Sequence, residues 1–421
     1  MDRKILIVLL VGLLGVLFRT PTLAAEPIKV GIVGPMNFVT GQHMWYAAEY
    51  AAKEVNAAGG IKVGETRRPL KLVKVDDNSL VKIPDAAMAV EKAITVDKVD
   101  FLVGGWRSEA VLAQQEVHCD YKKIMLGVGC SSPMVNAKVA KNYERYKYWF
   151  RAHPPDAKFG AMGLLAYSMV TINGVKKELG IEKPKVALVA EKAVWAEPAI
   201  KFLQAKLSPV AEIVGVWRPS ARATDVTAEL TAIKAKDTQI IVTLIASPVG
   251  ITFAKQWGEL EIPAAVTGVN VLAMGKDFWK ATGGKANYYL TGNALIRAPF
   301  TPKTVPWFDR FVKDHKDFPN YTAAAYDTVL ILVEGIERAG STDTNAVIKA
   351  LESTDHQGLF SRVVFDKKHD MKWGPDYYQD PCTQWINGEL KAITLPNWRK
   401  IPGSVPYTVP PNVVKYWKGK K

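Results

Sequence analysis

The residue types that most often do chemistry are few in this chain and stand apart from one another. Its six histidines, His43, His118, His153, His315, His356 and His369, occur singly. A lone histidine is more often a surface or capping residue than a general base. The three cysteines, Cys119, Cys130 and Cys382, have no CxxC or Cys/His spacing suited to zinc. Two readings of them stand: one pair bridged in an oxidising compartment, with Cys119 and Cys130 close in sequence, or three small buried side chains. There is no P-loop, no HExxH and no GxSxG elbow, and the first strand–helix turn at 31–35 lacks the GxGxxG spacing of a dinucleotide site. With no nucleophile, base and orienter in sight, no catalytic residue, metal or cofactor is expected. One loop does offer recognition chemistry. Trp106 adjoins Arg107, an indole able to stack on a ring beside a guanidinium able to take a carboxylate bidentately; an outward orientation of either is equally open.

The 421 residues suffice for two or three domains, and 48% hydrophobic residues exclude a disordered or fibrous chain. Lys and Arg number 55 against 41 Asp and Glu, a net charge of +14. The basic residues are interspersed with acidic ones and form no stripe that would track a phosphate backbone, so nucleic acid is not expected as a partner. Arg3 and Lys4 precede an apolar run over 5–18, and Thr22-Leu23-Ala24-Ala25 supplies small residues before Glu26. This is the pattern of a secretory signal cleaved near Ala25, and the run is shorter than the roughly 20 residues of a spanning helix. No cysteine precedes Cys119, so a lipid anchor at the cleavage site is not expected. Loss of 1–25 removes three basic residues and Asp2, which leaves +12.

The elements that must position any site read as an alternation. Strands are expected at 28–33, 70–75, 101–105, 124–128 and 148–151, with helices at 44–56, 84–96 and 108–119. The rhythm then restarts, with helices at 160–179, 198–207, 226–235 and 250–260 between strands at 186–190, 211–217, 240–245 and 264–268. Such alternation builds βαβ units and parallel sheets, so the fold class is α/β in two successive lobes of similar size. A strand at 288–294, a long helix at 321–339 before Gly340, a strand at 363–366 and a ribbon over 383–395 turned at Asn387-Gly388 follow. From Pro396 the chain is Pro-rich and basic and is expected to lie along a surface.

Several segments recur in a recognisable order: the strand ending Gly34-Pro35, the helix end over 49–60, Val75-Asp76-Asp77, Gly104-Gly105-Trp106-Arg107-Ser108 and Cys130-Ser131-Ser132-Pro133. Phe150-Arg151-Ala152-His153-Pro154, Tyr326-Asp327, the run 339–343 and Val364-Phe365-Asp366 come after them. Over 27–395 this set resembles the periplasmic leucine/isoleucine/valine-binding protein family, the type I solute-binding proteins of ABC importers. The resemblance implies two doubly wound parallel-sheet lobes joined by three crossover segments, with ligand in the cleft between them. Lobe one would be 27–151 plus 300–352, lobe two 152–299 plus 353–395, and 396–421 a C-terminal extension. The crossovers would fall near Arg151, at 295–300 and near Ser353.

The resemblance also implies a site. First-lobe loops would bind an α-carboxylate through a serine hydroxyl and backbone amides, here Ser108 and the loop Gly129-Cys130-Ser131, consistent with anion binding at helix N-termini. A role for Ser108 and Ser131 as helix caps alone is also open. From the second lobe Trp195 matches the family's aromatic residue. Asn270 stands where an acid normally receives the ligand ammonium, and the loop over 36–42 is about three residues shorter than usual. A buried ammonium needs a carboxylate partner, so Asn270 shifts the expected ligand toward an amide, or an aromatic or branched carboxylate without an amine, with an amino acid-like solute still among the expected ligands. The implied partners are that small solute and an inner-membrane ABC permease, and the implied location is the periplasm. Two alternatives are a ligand-sensing module for a receptor or regulator and an exported α/β hydrolase with Ser108 or Ser131 as nucleophile.

Overall fold

A computed structural model describes residues 25–420; the signal-like segment lies outside the described residues up to Ala25. Each lobe is organised on its own parallel sheet. In the first the order is Leu70–Asp76, Ile28–Gly34, Phe101–Gly104, Met125–Val128, Trp149–His153. In the second it is Glu212–Trp217, Lys185–Ala190, Ile240–Ile245, Ala265–Asn270. The two orders are the same: each sheet runs one way from its first strand to its second and the other way from its third onward. Each therefore has a switch point between its first and third strands, where open α/β sheets bind ligands at the strands' carboxyl ends.

The strands are short apolar runs because helices cover both faces. All six residues of Ile240–Ile245 are buried, as doubly covered parallel strands require. Val39–Ala57, Ser108–Asp120 and Ala325–Ala339 pack on the first sheet, and Ala157–Leu179, Ala196–Leu207 and Val249–Glu259 on the second. The ribbon Cys382–Ile386 with Glu389–Ala392 turns at Asn387 and Gly388, both at positive φ (52° and 84°), the geometry of a two-residue hairpin turn.

Two expectations about chain course are corrected. The segment expected to join lobe two from Ser353 onward stays with lobe one for another 25 residues or so: Leu359, Phe360, Val363, Phe365, Met371 and Tyr378 all belong to the first core. The physical reason is partly Arg151. Its guanidinium is fully buried, bonds Asn136 and the Ser132 carbonyl, and pairs with Asp370 at 3.2 Å. A buried cation needs that carboxylate, which pins 366–371 to the first sheet's edge. Apolar residues join the second core only from Cys382, so the third crossing falls between Tyr378 and Cys382. The basic tail is more than a surface strap. Its helix Pro411–Gly419 buries Val413 and Trp417 in the second core, and the Trp417 indole donates to the Pro263 carbonyl at 2.6 Å. All three cysteines are buried and free.

Candidate functional site

A cavity of about 140 Å³ lies between the lobes, at the carboxyl ends of both sheets. Its volume is close to the roughly 150 Å³ of an engineered apolar cavity that accepts benzene, so a single small solute fits. Three walls enclose it, one from each lobe and one from the crossings.

The first-lobe wall consists of two loops in close contact. Gly104 and Gly129 have φ of 128° and 132°, and a Cβ would lie 2.1 Å from the Val33 carbonyl oxygen at the first and 2.8 Å from that of Gly105 at the second. Only glycine lets the backbone pass this close, at Gly104 to the neighbouring strand and at Gly129 to the other loop, and the two loops carry Trp106, Arg107, Ser108, Gly129 and Ser131 on the cavity. Arg107, not Ser108, holds the cap position of the helix Ser108–Asp120, without a side-chain cap bond, and Ser132, not Ser131, caps Pro133–Lys141. Neither Ser108 nor Ser131 is spent as a cap. Both face the cavity beside a helix N-terminus, where backbone N–H groups and the helix dipole favour an anion. Trp106 donates from its indole to the Tyr321 hydroxyl at 2.7 Å, which fixes its ring as a floor. Arg107 lies 3.4 Å from Glu109 and so already has a carboxylate partner. Cys130 is the exception among the expected first-lobe residues: it lies behind the wall, its thiol donating to Ser108 Oγ at 3.6 Å, and burial pushes that thiol's pKa up.

The second-lobe wall differs from expectation at its most informative position. Asn270 is fully buried and does not line the cavity. Its amide donates to the Gly250 carbonyl at 2.9 Å and the Tyr289 hydroxyl at 3.2 Å, and its oxygen accepts from Leu272 N at 3.2 Å. The side chain is committed to the lobe, and the cavity sees Val269 and Val271 on either side of it. A carboxylate does reach the second-lobe wall, but from Glu191 rather than from the position of Asn270. Glu191 is 4% exposed, lines the cavity and accepts from Trp195 Nε1 at 3.1 Å and from Ser247 Oγ. No ion-pair partner for it occurs among the described residues. Glu191 follows the lobe's first strand and Ser247 its third, so the two straddle the switch point.

The third wall is the hinge. Pro154 and Pro155, Asn293 and Ala294, and Asp380 come from the three crossings. Burial pushes the Asp380 carboxyl up to about 7, although Tyr378 donates to it at 2.9 Å. The remaining lining is largely apolar, with Leu164, Ala199, Ala246 and Met274 among it.

The lobes also meet directly across the cleft. Glu109 accepts from Val194 N at 3.0 Å, the Arg222 guanidinium reaches the Leu80 and Val81 carbonyls at 3.3 Å each, and Asp317 accepts from Lys276 N at 2.6 Å. Burial would raise the Glu109 carboxyl, but the Val194 bond and the Arg107 charge hold it below its usual range.

Of the residues expected from sequence, Trp106, Arg107, Ser108, Gly129, Ser131 and Trp195 line one cavity and Cys130 and Asn270 do not; Glu109, Glu191, Ser247, Tyr321, Asn293 and Asp380 line it without having been expected. Glu191 had a usable signal, since it directly follows a strand read at 186–190 and heads the lobe's switch point. Asp380 had none, because it lies in a crossing read elsewhere.

Two doubly wound lobes, three crossings and a polar-ended cavity between strand termini define a two-lobed solute-binding protein of the type I fold. Over residues 27–377 the chain matches the family model described as periplasmic binding protein, and it belongs to that family. It is 23% identical to an amino acid binding protein of Pseudomonas aeruginosa over 359 residues, 83% of this chain and 89% of that one. A branched-chain amino acid transporter substrate-binding protein of Streptococcus pneumoniae, solved with isoleucine, superposes with a TM-score of 0.71 at 20% identity, covering 87% of this chain and 98% of that one. An ABC-transporter solute-binding protein of R. palustris, solved with benzoate, superposes with a TM-score of 0.70 at 16% identity, covering 88% and 96%.

Proposed function

We propose that this chain is exported with residues 1–25 removed, serves an ABC importer in the periplasm, and takes a small α-amino acid as its solute. The observation that carries the ligand reading is Glu191, a buried carboxylate without a cation, on the wall facing the Ser108 helix N-terminus. A zwitterion answers both walls: its carboxylate meets Ser108, Ser131 and the first-lobe backbone amides, and its ammonium meets Glu191. A carboxylate lacking an amine would leave Glu191 desolvated and unpaired, a cost of several kcal/mol (about 3–5). This replaces the preference for amine-free carboxylates, which rested on Asn270 being in the pocket.

In this reading lobe one is 27–152 with 294–378, and lobe two is 161–290 with 382–417. Solute binds to the first-lobe loops, and the second lobe closes over it about the three crossings. Closure adds Glu191, Trp195 and Ser247 to the ligand's contacts, and those differential contacts shift the equilibrium. No histidine lines the cavity, and the carboxylate next to Ser108, that of Glu109, is engaged by Arg107 and Val194 N, which favours binding over hydrolysis.

A thermal-shift panel of the purified protein tests the reading. α-Amino acids should raise the melting temperature, and benzoate and branched carboxylates without an amine should not. A panel in which the amine-free acids are the best stabilisers would overturn it.

A further inference from the structure

The hinge wall carries a feature that neither the carboxylate end nor the ammonium end of such a ligand explains. Asp380 Oδ2 and Asn293 Oδ1 are buried oxygens, on residues lining the cavity, to which no donor among the described residues bonds. The two residues are neighbours by construction. Gly292 pairs with Cys382 across an antiparallel ladder, and one step on Asn293 N donates to the Pro381 carbonyl at 2.9 Å. Asn293 is 3% exposed, so water does not freely serve it. The other oxygen of Asp380 is bonded by Tyr378, and the Asn293 amide nitrogen is directed to Thr383 Oγ1 at 3.5 Å. The other oxygen of Asp380 and the amide nitrogen of Asn293 thus each have a protein partner, while the two acceptors have none among the described residues. Native proteins satisfy nearly all buried polar atoms, so a pair left over at one place in a ligand cavity points to a donor brought by the ligand.

We infer that the solute's side chain ends in a hydrogen-bond donor, a hydroxyl, amide or amine, that Asp380 and Asn293 receive at the hinge. The inference rests on the α-amino acid reading above and narrows it: Ser108 and Glu191 take the part common to all such solutes, and Asp380 selects among them. An aliphatic side chain would leave both oxygens desolvated and unpaired, whereas a polar one of the same shape would not. Sites built to hydrogen-bond a polar substrate group reject the analogue lacking it strongly, while apolar pockets separate isosteres weakly. The raised pKa of Asp380 accords with a carboxyl buried without an ionic partner; below about pH 7 the protonated carboxyl would itself be a donor, so the acceptor pair, and the titrations that test it, belong to pH 8. A hinge location also ties selection to closure, since Asn293 and Asp380 lie on two different crossings.

Isothermal calorimetry on the full mature chain with matched pairs tests this: asparagine against leucine, and threonine against valine. The donor-bearing member of at least one pair should bind ten-fold or more tightly than its isostere, and Asp380→Leu should shrink that ratio to three-fold or less. Asp380→Asn, which keeps the volume, guards against a folding defect and should fall between the two. If leucine and valine bind as well as or better than their partners, the hinge inference falls and the α-amino acid reading stands. If none of the four binds while an amine-free carboxylate does, both fall together.

Discussion

The two faces of the cleft are built on one plan and present opposite chemistry. Each is the carboxyl edge of a doubly wound sheet with the same strand order. The first offers hydroxyls, backbone N–H groups and a helix N-terminus around Ser108 and Ser131, while the second offers a buried carboxylate at Glu191, bonded by Trp195 and Ser247. Topology alone determines where each wall lies; the residues that follow the strands determine its sign. A wall of donors whose one charged pair, Arg107 with Glu109, is matched within the wall, facing an acidic wall, suits a ligand charged oppositely at its two ends.

Several substitutions break or sharpen this contrast. The largest effect is expected at the acidic wall: Glu191→Gln leaves a ligand ammonium buried without its partner, a loss of about 3 kcal/mol or more, roughly two orders of magnitude in Kd by calorimetry. A change below three-fold would remove Glu191 from the ammonium site. On the donor wall Ser108→Ala deletes one hydrogen bond to a charged group, about 1.5–3 kcal/mol, and should weaken binding ten-fold or somewhat more while leaving the unliganded melting temperature within a degree or two. Asn270→Ala separates the expected acid position from the observed one. Losing three bonds inside the lobe should lower unliganded stability by about 1–3 kcal/mol in denaturant unfolding, with ligand affinity within three-fold; the reverse pattern would return Asn270 to the site.

The hinge differs from both walls in that its effect depends on pH. With its carboxyl raised to about 7 by burial, against about 4 in an unfolded chain, folded Asp380 holds a proton between those pH values that the unfolded chain has released. Its contribution to stability therefore falls as pH rises from about 4 to 7. Asp380→Asn removes that dependence, so its effect on melting temperature should be more favourable at pH 8 than at pH 4. A difference that is equal at both pH values would contradict the assigned titration.

The contrast between the walls also explains what could be read in advance. The α/β alternation was legible because doubly covered strands are unbroken apolar runs: 240–245 has the same bounds in sequence and structure. The donor wall was legible because its glycines, Gly104 and Gly129, precede helix starts in a recognisable order. The acidic wall was not, because Asn270 is a strand-end residue whose side chain can turn either way, and only packing against Gly250, where a Cβ would lie 2.2 Å from Asn270 Oδ1, turns it inward. The late third crossing was hidden for a similar reason. The strand Arg362–Val364 is short and pairs with the equally short Asp355–Gln357, and nothing local announces that Asp370 must reach the buried Arg151.

The central claim is that Glu191 reads the solute's α-amino group across the cleft from Ser108. The most direct test is a double cycle in the calorimeter, in which the best-binding α-amino acid and the same acid without its amine are each titrated into the wild type and Glu191→Gln. The account predicts strong coupling: deamination costs the wild type about a hundred-fold in affinity and costs the variant less than ten-fold. Equal losses in the two proteins would contradict it.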